Sequence, residues 1–235
     1  MEDYLKELRK RAKHMPLQYI LHESYFYNLK FYVDENVLIP RQDTEVLVDN
    51  VIKDNSKGVN NLLDLCTGSG IIGISIAKNI CINNLVLADI SDKALDISKI
   101  NVDNNNLDNT NVYYLNTDMF TNIKKFIDDN NIGNFDIITI NPPYIETNVI
   151  NNLEIEVKDY EPKIALDGGD DGLKFYRVIF DNVGNFLNTN GKVYMEIGYD
   201  QGDKLREMFN TYNYKNFNIV KDLSNNDRVI TFTIN

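Results

Sequence analysis

The stretch Asp64-Leu-Cys-Thr-Gly-Ser-Gly70 joins a short apolar run to a second one, Ile71-Ile-Gly-Ile-Ser-Ile-Ala77. This pattern predicts a strand, a tight glycine turn and a helix. Glycine lets the backbone approach a ligand closely, and the first turn of a helix offers free N–H groups. From residue 61 onward, the chain therefore begins a strand–helix unit with a ligand-binding turn.

Strands and helices alternate after this unit. The predicted strands are 61–65, 85–89, 111–115, 135–140 and 192–197, and the predicted helices lie near 71–80, 92–104, 121–130 and 172–188. Segments 217–222 and 228–234 flank Ser224-Asn-Asn-Asp227, as the strands of an antiparallel pair do. This order predicts an α/β fold, with a doubly wound, mostly parallel seven-stranded sheet, helices on both faces and an antiparallel last strand.

The part before residue 61 has a different pattern. Residues 2–14 are mostly charged with helical spacing, and the aromatic-rich segment 18–33 suggests a β-hairpin. Residues 37–45 read as a loop, after which Asp43 or Thr44 is expected to cap a helix that runs to about Lys53.

Composition limits the possible functions. The 235 residues are 43% hydrophobic, which supports a large core, and no run approaches the roughly 18 apolar residues of a membrane span. Two cysteines and two histidines argue against a disulfide scaffold or a zinc site. The start lacks an apolar signal region, so we expect a cytoplasmic protein. The net charge of −11 argues against stable nucleic-acid binding, which usually needs a basic stripe.

An acidic residue follows the glycine turn at a distance typical of ribose binding. Asp89 ends the apolar run Leu85-Val-Leu-Ala-Asp89, 19 residues after Gly70. A carboxylate at that spacing can accept hydrogen bonds from both hydroxyls of a ribose. Both NAD and S-adenosylmethionine carry such a ribose, so this half of the chain alone does not choose between them.

Two details favour S-adenosylmethionine. An acidic residue, Asp64, leads the glycine turn, whose Gly68, Gly70 and Gly73 have the G-x-G-x-x-G spacing that dinucleotide sites also use, and Asn116-Thr-Asp-Met-Phe120 follows the third predicted strand. Asp118 is placed to accept from an adenine amino group, and Met119 to pack on the ring. The residues that we expect to contact the cofactor are Asp64, Cys66, Thr67, Gly68, Ser69, Gly70, Asp89, Ile90, Asp118, Met119 and Asn141.

The tetrapeptide Asn141-Pro-Pro-Tyr144 follows the predicted strand Phe135–Ile140. It looks like the catalytic loop of methyltransferases that act on a planar NH2 group. The lone pair of such a nitrogen is delocalised, and two acceptors that hold both N–H bonds can aim it. The Asn141 side-chain oxygen and the Pro142 carbonyl are the predicted acceptors, while Pro142 and Pro143 stiffen the loop and Tyr144 offers a flat face. Asn141, Pro142 and Tyr144 are the predicted catalytic residues, and all four bind substrate.

Taken together, the motifs resemble the HemK-type release-factor glutamine N5-methyltransferases. The matching stretches are Pro16–Ile20, Val37–Arg41 with Thr44-Glu45, Asp64–Gly70, Asp89–Ser91, Asn141–Ile145, Tyr160–Lys163, Ala165–Gly169, Asp171–Tyr176, Glu196–Asp200, Lys221–Leu223 and Asp227-Arg228. The resemblance implies the class I S-adenosylmethionine-dependent methyltransferase fold. It also implies methylation of the side-chain amide in the Gly-Gly-Gln motif of peptide chain release factors, with S-adenosylhomocysteine as the product. We expect a monomer.

The chain departs from this family in three places. The family has a longer helical N-terminal domain that helps recruit the release factor, so residues 1–14 are interpreted as its remnant in the catalytic part of a longer protein. Residues 15–40 are then a β-hairpin linker, and residues 41–235 the methyltransferase domain. Cys66 replaces a glycine and Gln42 replaces a proline, and neither change removes a group that the chemistry needs.

Three alternative functions remain open from the sequence. A glutamine methyltransferase of a ribosomal protein would carry nearly the same motifs. An adenine or cytosine amino-methyltransferase of DNA or RNA would use the same loop, but it should need a basic channel and a means of flipping the base. A cofactor-binding module without catalysis would not need Asn141–Tyr144.

Overall fold

The computed structural model describes residues 2–234, and the side chains of residues 4–234. The helices are α1 (Glu2–Arg11), α2 (Leu17–Leu21), α3 (Glu45–Asp54), α4 (Ile71–Asn79), α5 (Asp92–Asn105), α6 (Ile123–Asn130), α7 (Ile155–Lys158), α8 (Lys174–Asn182) and α9 (Gly202–Phe209). The strands are β1 (Ser24–Phe26), β2 (Leu29–Phe31), β3 (Val59–Leu65), β4 (Ile82–Asp89), β5 (Asn111–Asn116), β6 (Phe135–Ile140), β7 (Leu187–Glu196), β8 (Lys215–Lys221) and β9 (Asp227–Thr233).

Seven of these strands form one sheet in the order β5-β4-β3-β6-β7-β9-β8. Strand β9 runs antiparallel to both of its neighbours, and the other pairs are parallel. The strand order therefore reverses direction between β3 and β6. Ligands of open α/β sheets bind in the crevice at such a point, beyond the carboxyl ends of the strands.

Helices cover both faces of the sheet because the central strands are apolar on both sides. Leu63 of β3 packs into a core cluster that includes residues of α6, α8 and α9, whereas its neighbour Leu62 packs into a second cluster with residues of α3 and α4. Each such leucine contributes about 1.5–3 kcal/mol when it is removed from water. This burial fixes the strand ends, and therefore the loops that extend from them.

The N-terminal part differs in detail from the sequence prediction. A hairpin is present, but its strands are limited to Ser24–Phe26 and Leu29–Phe31, and Leu17–Leu21 is helical. Tyr19 explains the helix, because its ring is buried and its hydroxyl donates to the Val37 carbonyl at 2.5 Å. The division of the chain at residues 14 and 40 stays a prediction.

The predicted cap of α3 is wrong. Thr44 occupies the N-cap position, but its side chain makes no capping hydrogen bond. Residues Gln42–Thr44 form a 3-10 turn that leads into the helix, and the Asp43 carboxylate pairs with Arg228 at 3.2 Å instead.

The predicted helix 172–188 is too long, and the strand after it begins earlier than expected. Helix α8 ends at Asn182, a 3-10 turn follows at Val183–Asn185, and β7 starts at Leu187. The side-chain amide of Asn188 donates to Asp136 at 2.8 Å, which holds this end of β7 against β6. The antiparallel pair at the end of the chain is confirmed as β8 and β9.

Among the described residues, no helix combines the length and apolar character needed to cross a membrane.

Candidate functional site

A cavity of about 260 Å³ lies at the carboxyl ends of β3, β4, β5 and β6. Ten of the predicted site residues line it: Cys66, Thr67, Gly68, Ser69, Asp89, Ile90, Asp118, Met119, Asn141 and Pro143. Four others do not: Asp64, Gly70, Pro142 and Tyr144. The strand ends thus place the residues expected to bind a cofactor and the residue expected to hold an amide around one space.

Asp64 lies beneath the glycine turn and not in the cavity wall. Its side chain is buried and accepts hydrogen bonds from the Thr67 hydroxyl at 2.6 Å, the Thr139 hydroxyl at 2.7 Å and the Gly73 N–H at 3.2 Å. Burial raises the pKa of Asp64 from 3.8 to about 6, and the hydrogen bonds oppose that rise. The carboxylate thereby ties the start of α4 to β3 and β6.

Asp89 holds the glycine turn from the neighbouring strand. One carboxylate oxygen accepts from the Gly68 N–H at 2.8 Å, and the other accepts from the Ser91 N–H at 3.0 Å. Burial raises the pKa of this carboxyl group. A carboxylate oxygen can accept more than one hydrogen bond, so both oxygens retain capacity for a hydroxyl group in the cavity.

Cys66 and Met119 form the wall between the first and third strand ends. The Cys66 sulfur lies 3.8 Å from the Met119 sulfur. Cys66 has a φ of 60° and Met119 a φ of 48°, so both adopt the left-handed conformation that favours glycine. A glycine, which the resemblance implies is common at position 66, would adopt this conformation without strain. Burial, together with the nearby carboxylates, raises the pKa of the Cys66 thiol.

The segment Asn141–Tyr144 extends from the end of β6. Asn141 and Pro143 face the cavity, whereas Pro142 is buried. Tyr144 is partly buried against the main core cluster, and its hydroxyl donates to a Glu196 oxygen at 3.2 Å. The predicted contact between Tyr144 and a planar substrate stays a prediction.

Two glycines allow a second segment to pack against the backbone of Tyr144. A Cβ atom at Gly168 would lie 2.7 Å from the Tyr144 Cα, and one at Gly172 would lie 2.5 Å from the Tyr144 carbonyl oxygen. Gly172 also has a φ of 69°. The Ile145 N–H donates to the Leu166 carbonyl at 3.0 Å. This hydrogen bond extends the contact between the two segments by one residue beyond Tyr144. Larger residues at either glycine would displace the loop.

A segment of residues 36–41, called the strap here, lines the cavity together with Pro162, Ile164 and Ala165. The Arg41 guanidinium contacts the Glu161 carboxylate at 2.6 Å and joins the two segments. Burial raises the pKa of Glu161, and the Arg41 charge opposes that rise. The pair therefore links two segments of the cavity wall.

Sequence reasoning assigned no role to the strap, to Glu161 or to Lys174 and Phe175, which also line the cavity. The resemblance marked Val37–Arg41, Tyr160–Lys163 and Asp171–Tyr176, but these stretches lie far apart in sequence. Only the folded structure shows that all three stretches line the same cavity at the strand ends.

Comparison with known proteins agrees with this geometry. The family model described as methyltransferase small domain matches residues 41–156. The release factor glutamine methyltransferase of Thermodesulfovibrio yellowstonii is 41% identical over 226 residues, which cover 95% of this chain and 78% of that protein.

Two solved structures share the architecture. A methyltransferase from Pyrococcus furiosus is 14% identical with a TM-score of 0.61, covering 99% of this chain and 98% of that one. M. capricolum TrmK, in complex with the natural cofactor product S-adenosylhomocysteine, is 15% identical with a TM-score of 0.53, covering 80% and 67%. The class I methyltransferase fold expected from the sequence is confirmed.

Proposed function

This chain belongs to the family of release factor glutamine methyltransferases, and from this premise we propose which atoms its reaction joins. A methyl group passes from S-adenosylmethionine to the side-chain amide nitrogen, N5, of a glutamine in a peptide chain release factor. The glutamine is that of the Gly-Gly-Gln motif. The observation that carries the proposal is that Asn141 lines the same cavity as Asp89 and the glycine turn.

The donor set of the cavity fits S-adenosylmethionine. Asp89 is the proposed acceptor for the ribose hydroxyls, with Ile90 beside it, and Asp118 accepts from the adenine amino group while Met119 packs on the ring. The turn Cys66–Gly70 supports the rest of the cofactor, and Asp64 holds that turn from below. When bound, the cofactor supplies an electrophilic methyl group on a positively charged sulfur.

Two carboxylates, Asp89 and Asp118, line the cavity together with two cationic side chains, Arg41 and Lys174. The buried Asp64 lies beneath the glycine turn. Charges of opposite sign attract more strongly where water is excluded. Exclusion of water from the cavity should favour a reaction that consumes the positive charge of the cofactor.

Asn141 and Pro142 are the proposed clamp for the amide. The Asn141 side-chain oxygen and the Pro142 carbonyl accept one N–H bond each, which turns the nitrogen lone pair toward the methyl group. Tyr144 is the proposed flat surface beside the amide, since its ring is only partly buried and its hydroxyl is held by Glu196. Well-oriented reactants can gain about 7–11 kcal/mol in barrier, so positioning is the main contribution of the protein.

The chain needs no strong base for this reaction. The nitrogen becomes acidic once it carries the methyl group, and it sheds a proton to water afterwards. Neither a ribosomal protein nor a nucleic acid is favoured as the alternative substrate by the family to which the chain belongs. The monomeric state and the absence of stable nucleic-acid binding stay predictions.

Transfer of a radioactive methyl group tests the proposal. The enzyme is incubated with methyl-labelled S-adenosylmethionine and either an intact release factor or one whose Gly-Gly-Gln glutamine is replaced by glutamate. Label should enter the intact protein only, because glutamate has no amide nitrogen. Equal labelling of both proteins, or labelling of added RNA instead, would overturn the proposal.

A further inference from the structure

Gln201 lies behind the catalytic loop and uses its whole side-chain amide. Its nitrogen donates to the Tyr144 carbonyl at 3.0 Å and to the Gly172 carbonyl at 3.3 Å. Its oxygen accepts from the Gly198 N–H at 2.9 Å and from the Tyr176 hydroxyl at 3.1 Å. An amide offers two donors and two acceptor positions, so every one is filled.

The surroundings of Gln201 are built closely around this arrangement. The residue is 5% exposed. A Cβ atom at Gly198 would lie 2.9 Å from the Gln201 oxygen, and one at Gly172 would lie 2.8 Å from its nitrogen. Side chains larger than glycine at these positions would push the amide away from the Tyr144 carbonyl.

Tyr144 is held at a second point by the same part of the chain. Its hydroxyl donates to the buried Glu196, the last residue of β7, and Gln201 follows shortly after that strand. The end of β7 therefore fixes both the side chain and the carbonyl of Tyr144. Three residues earlier in the same loop stands Asn141, which faces the cavity.

We propose that Gln201 is a positioning residue for methyl transfer. By fixing the Tyr144 carbonyl, it fixes the loop whose acceptors, at Asn141 and Pro142, hold the substrate amide; this inference rests on the proposed function. Gln201 does not line the cofactor cavity. Displacement of reacting groups by about 1 Å can cost a hundredfold in rate, so the loss of this hold should appear in kcat.

The variant Gln201→Glu removes the donor and keeps the shape. Where its carboxylate is ionised, it repels the Tyr144 carbonyl, so we expect kcat for intact release factor to fall about 10- to 100-fold at high pH. Affinity for S-adenosylhomocysteine, measured by calorimetry, should stay within about threefold. Because a protonated carboxyl group donates again, the ratio of variant to wild-type kcat should rise as the pH is lowered.

Asn61→Asp is the matched control. Asn61 is also a buried amide that donates to two main-chain carbonyls, those of Ile132 at 2.5 Å and Asn134 at 2.8 Å. It lies near the amino end of β3, whereas the cavity lies at the carboxyl ends of the strands. This variant should lose stability in a thermal melt without the loss in kcat.

The decisive readout is kcat of the folded enzyme at a temperature below its melting transition. A Gln201→Glu enzyme with kcat within about threefold of wild type at high pH, where its carboxylate is ionised, would overturn the inference. Should that variant not fold, Gln201→Met, which has neither donor nor charge, carries the same expectation. Asn141→Ala is measured in parallel: if it also keeps normal turnover, the proposed role of Asn141 fails, whereas a loss confined to Asn141→Ala overturns only the role of Gln201.

Discussion

The cofactor half of the cavity and its catalytic half are held in place by different means. The cofactor half consists of the loops after β3, β4 and β5, and it is stabilised by the strand ends themselves, as when Asp89 accepts from the Gly68 N–H. The catalytic half is the loop Asn141–Tyr144. It depends on Gln201 and Glu196, which are 57 and 52 residues away from Tyr144.

This difference separates two tasks of the enzyme. Binding a cofactor needs a turn, a carboxylate and an apolar wall, all of which neighbouring strand ends supply. Holding an amide for attack needs a rigid loop, and here the rigidity comes from residues of β7 and of the 166–172 segment packed behind it. Changes in the two halves should therefore affect different measured quantities.

The largest expected effect is that of Asn141→Ala on turnover. The variant loses one of the two acceptors for the substrate amide, so kcat should fall at least about a hundredfold. Affinity for S-adenosylhomocysteine should remain near normal, because the cofactor half is intact. Steady-state kinetics with release factor and calorimetry give the two values, and near-normal turnover would show that the amide clamp is wrong.

A pH titration of stability probes the carboxylate beneath the cofactor half. In the folded protein Asp64 has a pKa raised from 3.8 to about 6. Between these values the folded state holds a proton that the unfolded state has lost. This group should therefore lower the free energy of unfolding by up to about 3 kcal/mol as the pH rises from about 4 to about 6.

Asp64→Asn has no titrating group at this position. We compare the free energy of unfolding of this variant with that of wild type at each pH. The difference, variant minus wild type, should increase by up to about 3 kcal/mol between about pH 4 and about pH 6, whatever the difference is at about pH 4. Urea unfolding at a series of pH values measures the difference. A difference independent of pH would mean that Asp64 titrates normally in the folded state.

Asp89→Ala should weaken the cofactor half directly. Two ribose hydroxyls lose their acceptor, which costs roughly 1–3 kcal/mol, or about a tenfold to hundredfold rise in the Kd of S-adenosylhomocysteine. Asp96→Ala is the control, since Asp96 is an exposed carboxylate whose pair with Lys99 lies on the surface of α5. Equal affinities of the Asp89 variant and wild type would place the ribose elsewhere.

The smallest expected effect concerns the left-handed backbone at Cys66. Glycine tolerates a φ of 60°, whereas alanine pays a steric cost there, so Cys66→Gly should be more stable than Cys66→Ala by about 1 kcal/mol. Denaturant midpoints compare the two variants, which both lack the sulfur contact to Met119. Greater stability of the alanine variant would show that the turn relaxes out of this conformation.

The sequence predicted the cofactor half better than the catalytic half, for a physical reason. Buried strands such as β6 leave mostly apolar runs, and Gly70 and Asp89 stand at fixed distances from such runs. These signals are local, and the fold and the residues around the cavity follow from them. The end of α8 was missed because Asn188-Thr-Asn-Gly191 does not read as a strand, although Phe135 pairs with Leu187 just before it.

The support of the catalytic loop could not be predicted in this way. Glutamine is a common surface residue, so the sequence gives no sign that Gln201 is buried. Only the tertiary structure shows that its side chain is buried and that its nitrogen donates to the Tyr144 carbonyl. The strap is similar, because Arg41 and Glu161 are 120 residues apart. Contacts of this kind depend on how the end of β7 and the strap pack in the folded protein. The spacing of residues in the sequence does not predict them.

The most direct test of the account is to locate the transferred methyl group. Release factor treated with the full chain and S-adenosylmethionine is digested, and the peptide that contains the Gly-Gly-Gln motif is fragmented in a mass spectrometer. We expect that one methyl group replaces one hydrogen on the side-chain amide of that glutamine, and that Asn141→Ala leaves the peptide almost unmodified. A methyl group on any other residue, or an unmodified peptide after treatment with the active wild-type enzyme, would contradict it.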